Sequence, residues 1–317
     1  MSHETIEVVS PGLLTTVQDL GRPGWAHLGI SVSGACDAWA LRLGNQLVGN
    51  DRDAAALEMT LSGGTFRFHR EAWIAITGGE CVLKIDGQPI AMWTSIRIHP
   101  AQVLQVGTVA VGARVYLCVY GGLDVPLVLG SRSTLIESSW GGYEGRVLQS
   151  GDRLDVFEQG AGCPGARRAG LLVRAIYKNI FEIRVTEGPQ WNWFGEDAHH
   201  AFFENAFSVT NEMSRRGVRL DGPKLNLIRN EELVTEGIAA GSIQIPTSGM
   251  PIILLNDQRT TGGYAKIATV IHADLFMIGQ LRPGAQVKFR RVTLEEAWTA
   301  NQERERQMNV RRSIFPI

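Results

Sequence analysis

Lysine is scarce in this chain. It occurs only at positions 84, 178, 224, 266 and 288 of 317, and none precedes serine or threonine. A Walker-type phosphate loop needs that Lys-Ser/Thr step after its glycines, so a nucleotide site of this kind is excluded. Cysteine is sparse as well. Cys36, Cys81, Cys118 and Cys163 form no C-x-x-C pair, which predicts free thiols in a non-secreted chain. No Gly-x-Ser-x-Gly elbow anchors a serine hydrolase. Neither sign of charge is in excess: 31 Lys plus Arg against 32 Asp plus Glu give −1, so the basic field that non-specific nucleic-acid binding needs is missing. No apolar run approaches the roughly 18 residues of a membrane helix. The start, Met1-Ser2-His3-Glu4-Thr5, carries no basic then apolar leader. These absences predict a soluble, cytoplasmic protein that binds neither nucleic acid nor membrane.

Glycine is what the chain has in plenty: 36 residues, with 12 prolines, so it turns often. Short β-type runs end at such turns. Thr65 to His69 alternates, Trp73 to Thr77 meets Gly78-Gly79, and Cys81 to Ile85 meets the hairpin signal Asp86-Gly87. Val115 to Tyr120, Glu182 to Val185, Ser242 to Ile245, Ile252 to Leu255 and Val287 to Phe289 continue the style. Helices are few. Asp37 to Val48 puts Ala40, Leu43 and Leu47 on one stripe before Gly49-Asn50. Thr293-x-x-Glu296 is a capping box, and a short helix is expected around Asp197 to Asn205. The glycine-rich stretch 158–166 reads as a linker. The expected fold is therefore mainly β with a few helices, in two β-barrel domains, residues 1–160 and 161–317, the second ending in a helix.

Several motifs admit both chemistry and a plainer role. Gly160-x-Gly162-x-x-Gly165 matches a dinucleotide fingerprint, but Pro164 interrupts it and no strand–helix alternation surrounds it, so a linker fits better. His199-His200 point to different faces of any element and lack a third ligand, so no metal site is expected. Two segments are denser in glycine and polar groups than turns require. One is Gln18-Asp19-Leu20-Gly21-Arg22 with Ser33-Gly34-Ala35-Cys36-Asp37. The other is Asp257-Gln258-Arg259-Thr260-Thr261-Gly262-Gly263-Tyr264 with Lys266. Paired hydroxyls and glycine amides there could hold a carboxylate or phosphate, with Arg259 or Lys266 adding charge and Asp257 moving or fixing a proton. The plainer reading is a polar turn that satisfies its own backbone, and for Asp37 it is a simple helix cap. Gly130-Ser131-Arg132-Ser133-Thr134 is a third anion-loop candidate.

Taken in order, these phrases resemble a known family. Pro11-Gly12-Leu13-Leu14-Thr15-Thr16-Val17-Gln18-Asp19-Leu20-Gly21-Arg22 is similar to the opening of the biotin-dependent carboxyltransferase-like proteins. That group takes in the C component of 5-oxoprolinase, KipA and allophanate hydrolase subunit 2, and corresponds to carboxyltransferase subdomains A and B. Ser33 to Asp37, Gly130 to Thr134, Gly141-Gly142-Tyr143-Glu144-Gly145-Arg146 with Gly151-Asp152, Gly188-Pro189-Gln190, Gly241 to Pro246 and Thr260 to Tyr264 extend the resemblance over roughly residues 5 to 298. It implies cyclophilin-like β-barrels and two partners from the same enzyme. One is a KipI-like B component (subdomains C and D), the other a protein like its A component. It further implies ATP-dependent opening of 5-oxo-L-proline to L-glutamate, with ATP bound by the complex rather than necessarily by this chain. The alternatives it carries are a carboxyltransferase component of a biotin-dependent urea or amide carboxylase, and a KipA-like regulator that binds a kinase inhibitor. The Ala-Met-Lys-Met biotin phrase is absent, so biotin would sit on a separate protein.

By this resemblance Asp257 and Asp19 are the expected catalytic or orienting groups. Arg22, Arg132, Gln244, Arg259, Thr260, Thr261, Gly262, Gly263, Tyr264 and Lys266 are the expected substrate or anion contacts. The sequence departs from relatives at three places. Met213-Ser214-Arg215-Arg216-Gly217 stands where Ser-Asp-Arg-Met-Gly is usual, Arg259 where Gln is usual, and Trp191-Asn192 where acidic residues are common. These changes predict a more positive pocket.

Overall fold

The computed structural model describes residues 5–158, 165–171, 173–174, 177–229, 233–309 and 314–317. It is mainly β with a few helices, in two compact units. The first comprises Met1–Arg22, Ser33–Tyr177 and Gln307–Ile317; the second comprises Pro23–Val32 and Lys178–Arg306. The division by contact thus falls at 177/178 where 160/161 was expected, and each unit takes in a segment from elsewhere in the chain. The linker candidate and the Gly160-x-Gly162-x-x-Gly165 phrase lie largely outside the described residues, as does Cys163. Cys36, Cys81 and Cys118 are free thiols.

The first unit is built on a ten-stranded sheet. Leu14–Gln18, Ala56–Thr60, Val103–Val119, Thr65–Phe68, Ile6–Ser10, Arg153–Val156 and Leu123–Asp124 follow one another across it, and Ala72–Ile85 pairs along the length of Val103–Val119. Alternation sends Phe66, Phe68, Ile74, Ile76, Leu57, Val115 and Leu117 into one core, each at most 5% exposed. Burying such side chains contributes about 1.5–3 kcal/mol apiece. The runs expected at 73–77 and 81–85 are one 14-residue strand. Gly78-Gly79 does not end it; the register shifts at Gly78 to Leu83 make bulges instead. The helix Ala38–Val48 starts on an Asp37 cap, whose carboxylate accepts from the Ala40 amide at 2.8 Å, and stops at a left-handed Gly49.

The second unit is a closed barrel of Ile180–Glu187, Ala265–Val270, Ser242–Ile245, Ile252–Leu254, Gly217–Asp221, Phe207–Met213 and Gln286–Arg291. The last strand closes on the first in parallel, Ile183 opposite Phe289. Its core holds Ile183, Phe207, Ile253 and Val287, and the helix Glu196–Glu204 adds Phe202, stacked on Phe289 at 4.4 Å. The capping box closes as expected at the head of Leu294–Asn309, Thr293 N to Glu296 Oε2 at 2.7 Å and Glu296 N to Thr293 Oγ1 at 3.1 Å. Among the described residues no helix is long and apolar enough to cross a membrane.

Candidate functional site

In the barrel wall Gln244 lies opposite Lys266, and Ile243 opposite Ala268, with Ile267 as the extra residue of a bulge. Ile243, Ile245, Ala265 and Ala268 face the core, so Gln244 and Lys266 stand on the other side of the wall. That side would ordinarily meet water, yet the two are only 5% and 2% exposed. A second layer covers them. It consists of Gln190 and a two-residue ladder in which Glu236 pairs with Gly262 and Gly237 with Thr261.

Lys266 is the hub of this layer. Its amide donates to Gln190 Oε1 at 3.1 Å, the Gln190 amide donates to Glu236 Oε1 at 2.7 Å, and the Lys266 ammonium donates to the same Glu236 oxygen. Donation from Lys266, then from Gln190, holds the Glu236 carboxyl below its usual range. The Gly188-Pro189-Gln190 phrase lies against the Lys266 main chain so closely that a Cβ on Gly188 would come within 2.2 Å of the Lys266 carbonyl oxygen. A Cβ on Gly262 would lie 3.0 Å from Gln244 Nε2 and 2.5 Å from Ile238 Cδ1. Glycine at both places is a matter of space. The arrangement is an ion-paired cluster rich in amides, buried at its Lys266 end and open to solvent at the Glu236 carboxylate, which is 40% exposed.

Asp257, a candidate catalyst, is 5% exposed and makes a two-point pair with Arg215: Nε to Oδ2 at 2.7 Å and Nη2 to Oδ1 at 3.1 Å. The Asp257 amide also donates to the Arg215 carbonyl, so the pair fastens the loop after Ile252–Leu254 to the turn before Gly217–Asp221. Arg259, Thr261, Gly263 and Tyr264 are exposed and Thr260 is half-buried. The added cation at Arg259 is therefore at the surface, while Trp191, another departure, stacks on His199 at 3.6 Å.

The remaining candidates gather in the first unit. The Asp19 carboxylate accepts from Ser131 Oγ at 2.6 Å, Ser133 Oγ at 2.5 Å and the Gly21 amide at 2.7 Å, and from the Arg132 amide at 2.5 Å. The 130–134 loop does cradle an anion, and the anion is the protein's own. Arg22 is buried and donates to the carbonyls of Ser133 and Val128. The Arg132 guanidinium lies over the Phe157 ring at 4.8 Å and, with Asp19, Asn50 and Tyr120, borders a cavity of about 400 Å³. Nearby Asp37, besides capping its helix, accepts from Tyr177 Oη at 2.5 Å. Tyr116 Oη donates to Glu58 at 2.7 Å; burial, then the Glu58 and Asp37 charges, push its hydroxyl well above the usual range.

Sequence reasoning found Gln244, Gly262 and Lys266, which meet in one cluster, and Asp19, Arg22 and Arg132, which meet in another. It did not single out Glu236, Arg215 or Gln190 as site residues. Gln190 and Arg215 stood within phrases of the resemblance; Glu236 carried no signal, because its partner lies 30 residues on.

Comparison with known proteins agrees with this architecture. The sequence pattern of the carboxyltransferase domain, subdomain A and B, matches residues 28–291. The chain belongs to that family. It is 39% identical over 305 residues to the C component of 5-oxoprolinase from Escherichia coli, covering 95% of this chain and 96% of the relative. It is 35% identical to the Haemophilus influenzae protein of the same name, covering 92% and 93%. In structure it is similar to the urea amidolyase of K. lactis, with a TM-score of 0.92 at 31% identity over 98% of this chain, although the chain spans only 20% of that much longer protein.

Proposed function

We propose that this chain is the C component of an ATP-dependent 5-oxoprolinase. It would convert 5-oxo-L-proline to L-glutamate together with a KipI-like B component and a protein like the A component. The observation that carries this reading is the match to the Escherichia coli C component along 95% of this chain and 96% of that one. A lactam resists opening because resonance stabilises it and its ring nitrogen leaves poorly. Activating the amide oxygen, which ATP supplies to the assembled enzyme, makes the carbon electrophilic, and preorganised donors stabilise the oxyanion that develops. Gln244, buried beneath the ladder beside the Lys266–Glu236 pair, fits the task of binding and orienting the amide. Arg259 and Thr261, exposed, and Thr260, half-buried, fit the task of receiving the substrate carboxylate.

Two of the candidate anion contacts are already engaged within the protein. The 130–134 loop is filled by Asp19, and the Lys266 ammonium is committed to Glu236. ATP would be bound by the assembled enzyme, not necessarily by this chain. A second reading, the carboxyltransferase part of a urea or amide carboxylase with biotin on a separate protein, is favoured by the urea amidolyase likeness.

The test is ATP-dependent glutamate release from 5-oxo-L-proline by the chain alone and by the chain assembled with both partners. Release by the assembly alone is the expected result. A biotinylated protein in the native complex, with urea consumed and 5-oxo-L-proline untouched, would replace the first reading with the second.

A further inference from the structure

Arg132, Asp51, Asp53 and Glu158 all border the 400 Å³ cavity of the first unit. Among the described residues, none of these four side chains makes a hydrogen bond or an ion pair. The Arg132 Nε is buried with no acceptor, and native structures rarely keep such a donor without a use. The cation is nevertheless fixed in place. Its own amide donates to Asp19 at 2.5 Å, its carbonyl accepts from the Gly142 amide at 3.0 Å, and its guanidinium is held over the Phe157 ring at 4.8 Å. Other polar groups of the wall are committed. Asp19 already holds four donors, and the Asn50 amide gives its hydrogens to Asn45 Oδ1 and the Val119 carbonyl while its oxygen accepts from Gly121. The charges left for a ligand are thus one guanidinium and three exposed carboxylates, which share the cavity without pairing with one another.

We propose that this cavity is a second small-molecule site, which takes a free α-amino acid with a basic side chain. Its volume falls within the roughly 300–1,000 Å³ of ordinary ligand pockets. The ligand's carboxylate binds the Arg132 guanidinium, whose fork of N–H donors suits a carboxylate. Its ammonium groups meet Asp51, Asp53 and Glu158. Once the ligand carboxylate has neutralised Arg132, the three carboxylates still call for more than one positive charge, which an α-ammonium and a side-chain cation supply together. The same surplus repels an acidic side chain, so glutamate is disfavoured, and 5-oxo-L-proline, an anion with no ammonium, is refused. The site belongs to the first unit and does not rest on the reading of the barrel wall as the substrate site. A ligand held there is an effector, distinct from the compound converted.

The test is calorimetric titration of the full chain with L-lysine, with L-norleucine, which lacks the side-chain ammonium, with cadaverine, which lacks the carboxylate, and with L-glutamate. L-Lysine is expected to bind at least about tenfold more tightly than each of the other three, the worth of one charge-assisted hydrogen bond. Arg132→Met, which keeps an apolar chain over Phe157, erases the preference for L-lysine over cadaverine. The triple variant Asp51→Asn, Asp53→Asn, Glu158→Gln alters only exposed side chains, so it folds, and it erases the preference for L-lysine over L-norleucine. No binding of L-lysine at millimolar concentration by the native chain overturns the proposal, as does L-lysine affinity that survives either variant. L-Glutamate bound as tightly as L-lysine, and lost in Arg132→Met, overturns it as well and places the cavity among the contacts for the enzyme's own product. None of these results bears on glutamate release by the assembled enzyme, which tests the 5-oxoprolinase reading separately.

Discussion

At the scale of single residues, the carboxylates Asp19 and Asp257 behave as fasteners. Asp19 collects four donors from two loops, and Asp257 grips a guanidinium that is itself 5% exposed. Replacing either by asparagine removes charge from a set of charge-assisted bonds, each worth about 1.5–3 kcal/mol. For Asp257 it also strips the counter-charge from a buried cation, where such losses run to about 3–5 kcal/mol. We expect Asp19→Asn and Asp257→Asn each to cost about 2–4 kcal/mol in urea unfolding, with activity falling in step with the folded fraction. Full stability together with lost activity would make the altered carboxylate a catalytic group after all.

At the scale of elements, the turn between Gly145 and Arg153 is clasped by Arg146, which donates to both Asp152 oxygens at 2.7 and 2.9 Å, while the Gln149 amide adds a bond of 2.7 Å. Burial acts to raise the Asp152 pKa, but these bonds outweigh it and hold the carboxyl below its ordinary 3.8. A folded pKa below the unfolded one stabilises the fold above the ordinary value, and the gain is lost as pH falls through the lowered one. Arg146→Met should therefore lower stability near neutrality and flatten the acid limb of a melting series taken down to about pH 3. An unchanged acid limb would mean the clasp contributes nothing. Elements like this differ in how far the sequence displays them. The helix after Asp37 was legible because its cap and its stop both carry local chemistry. The Asp86-Gly87 turn was legible too, with both residues at positive φ, 49° and 82°. Gly78-Gly79 misled because glycine marks close approach as well as turning: a Cβ on Gly78 would lie 2.4 Å from the Arg114 carbonyl oxygen on the neighbouring strand. Lys266 and Gln244 could be named from their phrases, whereas Glu236 becomes visible only when the ladder brings it over the barrel wall.

At the scale of the whole molecule, composition and turn spacing carried the fold class, because period-two alternation survives bulges and length errors. The division into units was less legible, since segments 23–32 and 307–317 group with residues far away in sequence. The candidate residues likewise fall into two sets, one in each unit, and the proposed substrate site belongs to the second. Hydrogen exchange of the assembled protein with and without 5-oxo-L-proline separates these sets directly. Exchange at 236–238 and 261–266 is expected to slow when 5-oxo-L-proline is bound, with the 130–134 loop unchanged. Slowing confined to the 130–134 loop and the cavity beside it, with the ladder unaffected, would contradict a substrate site on the barrel wall.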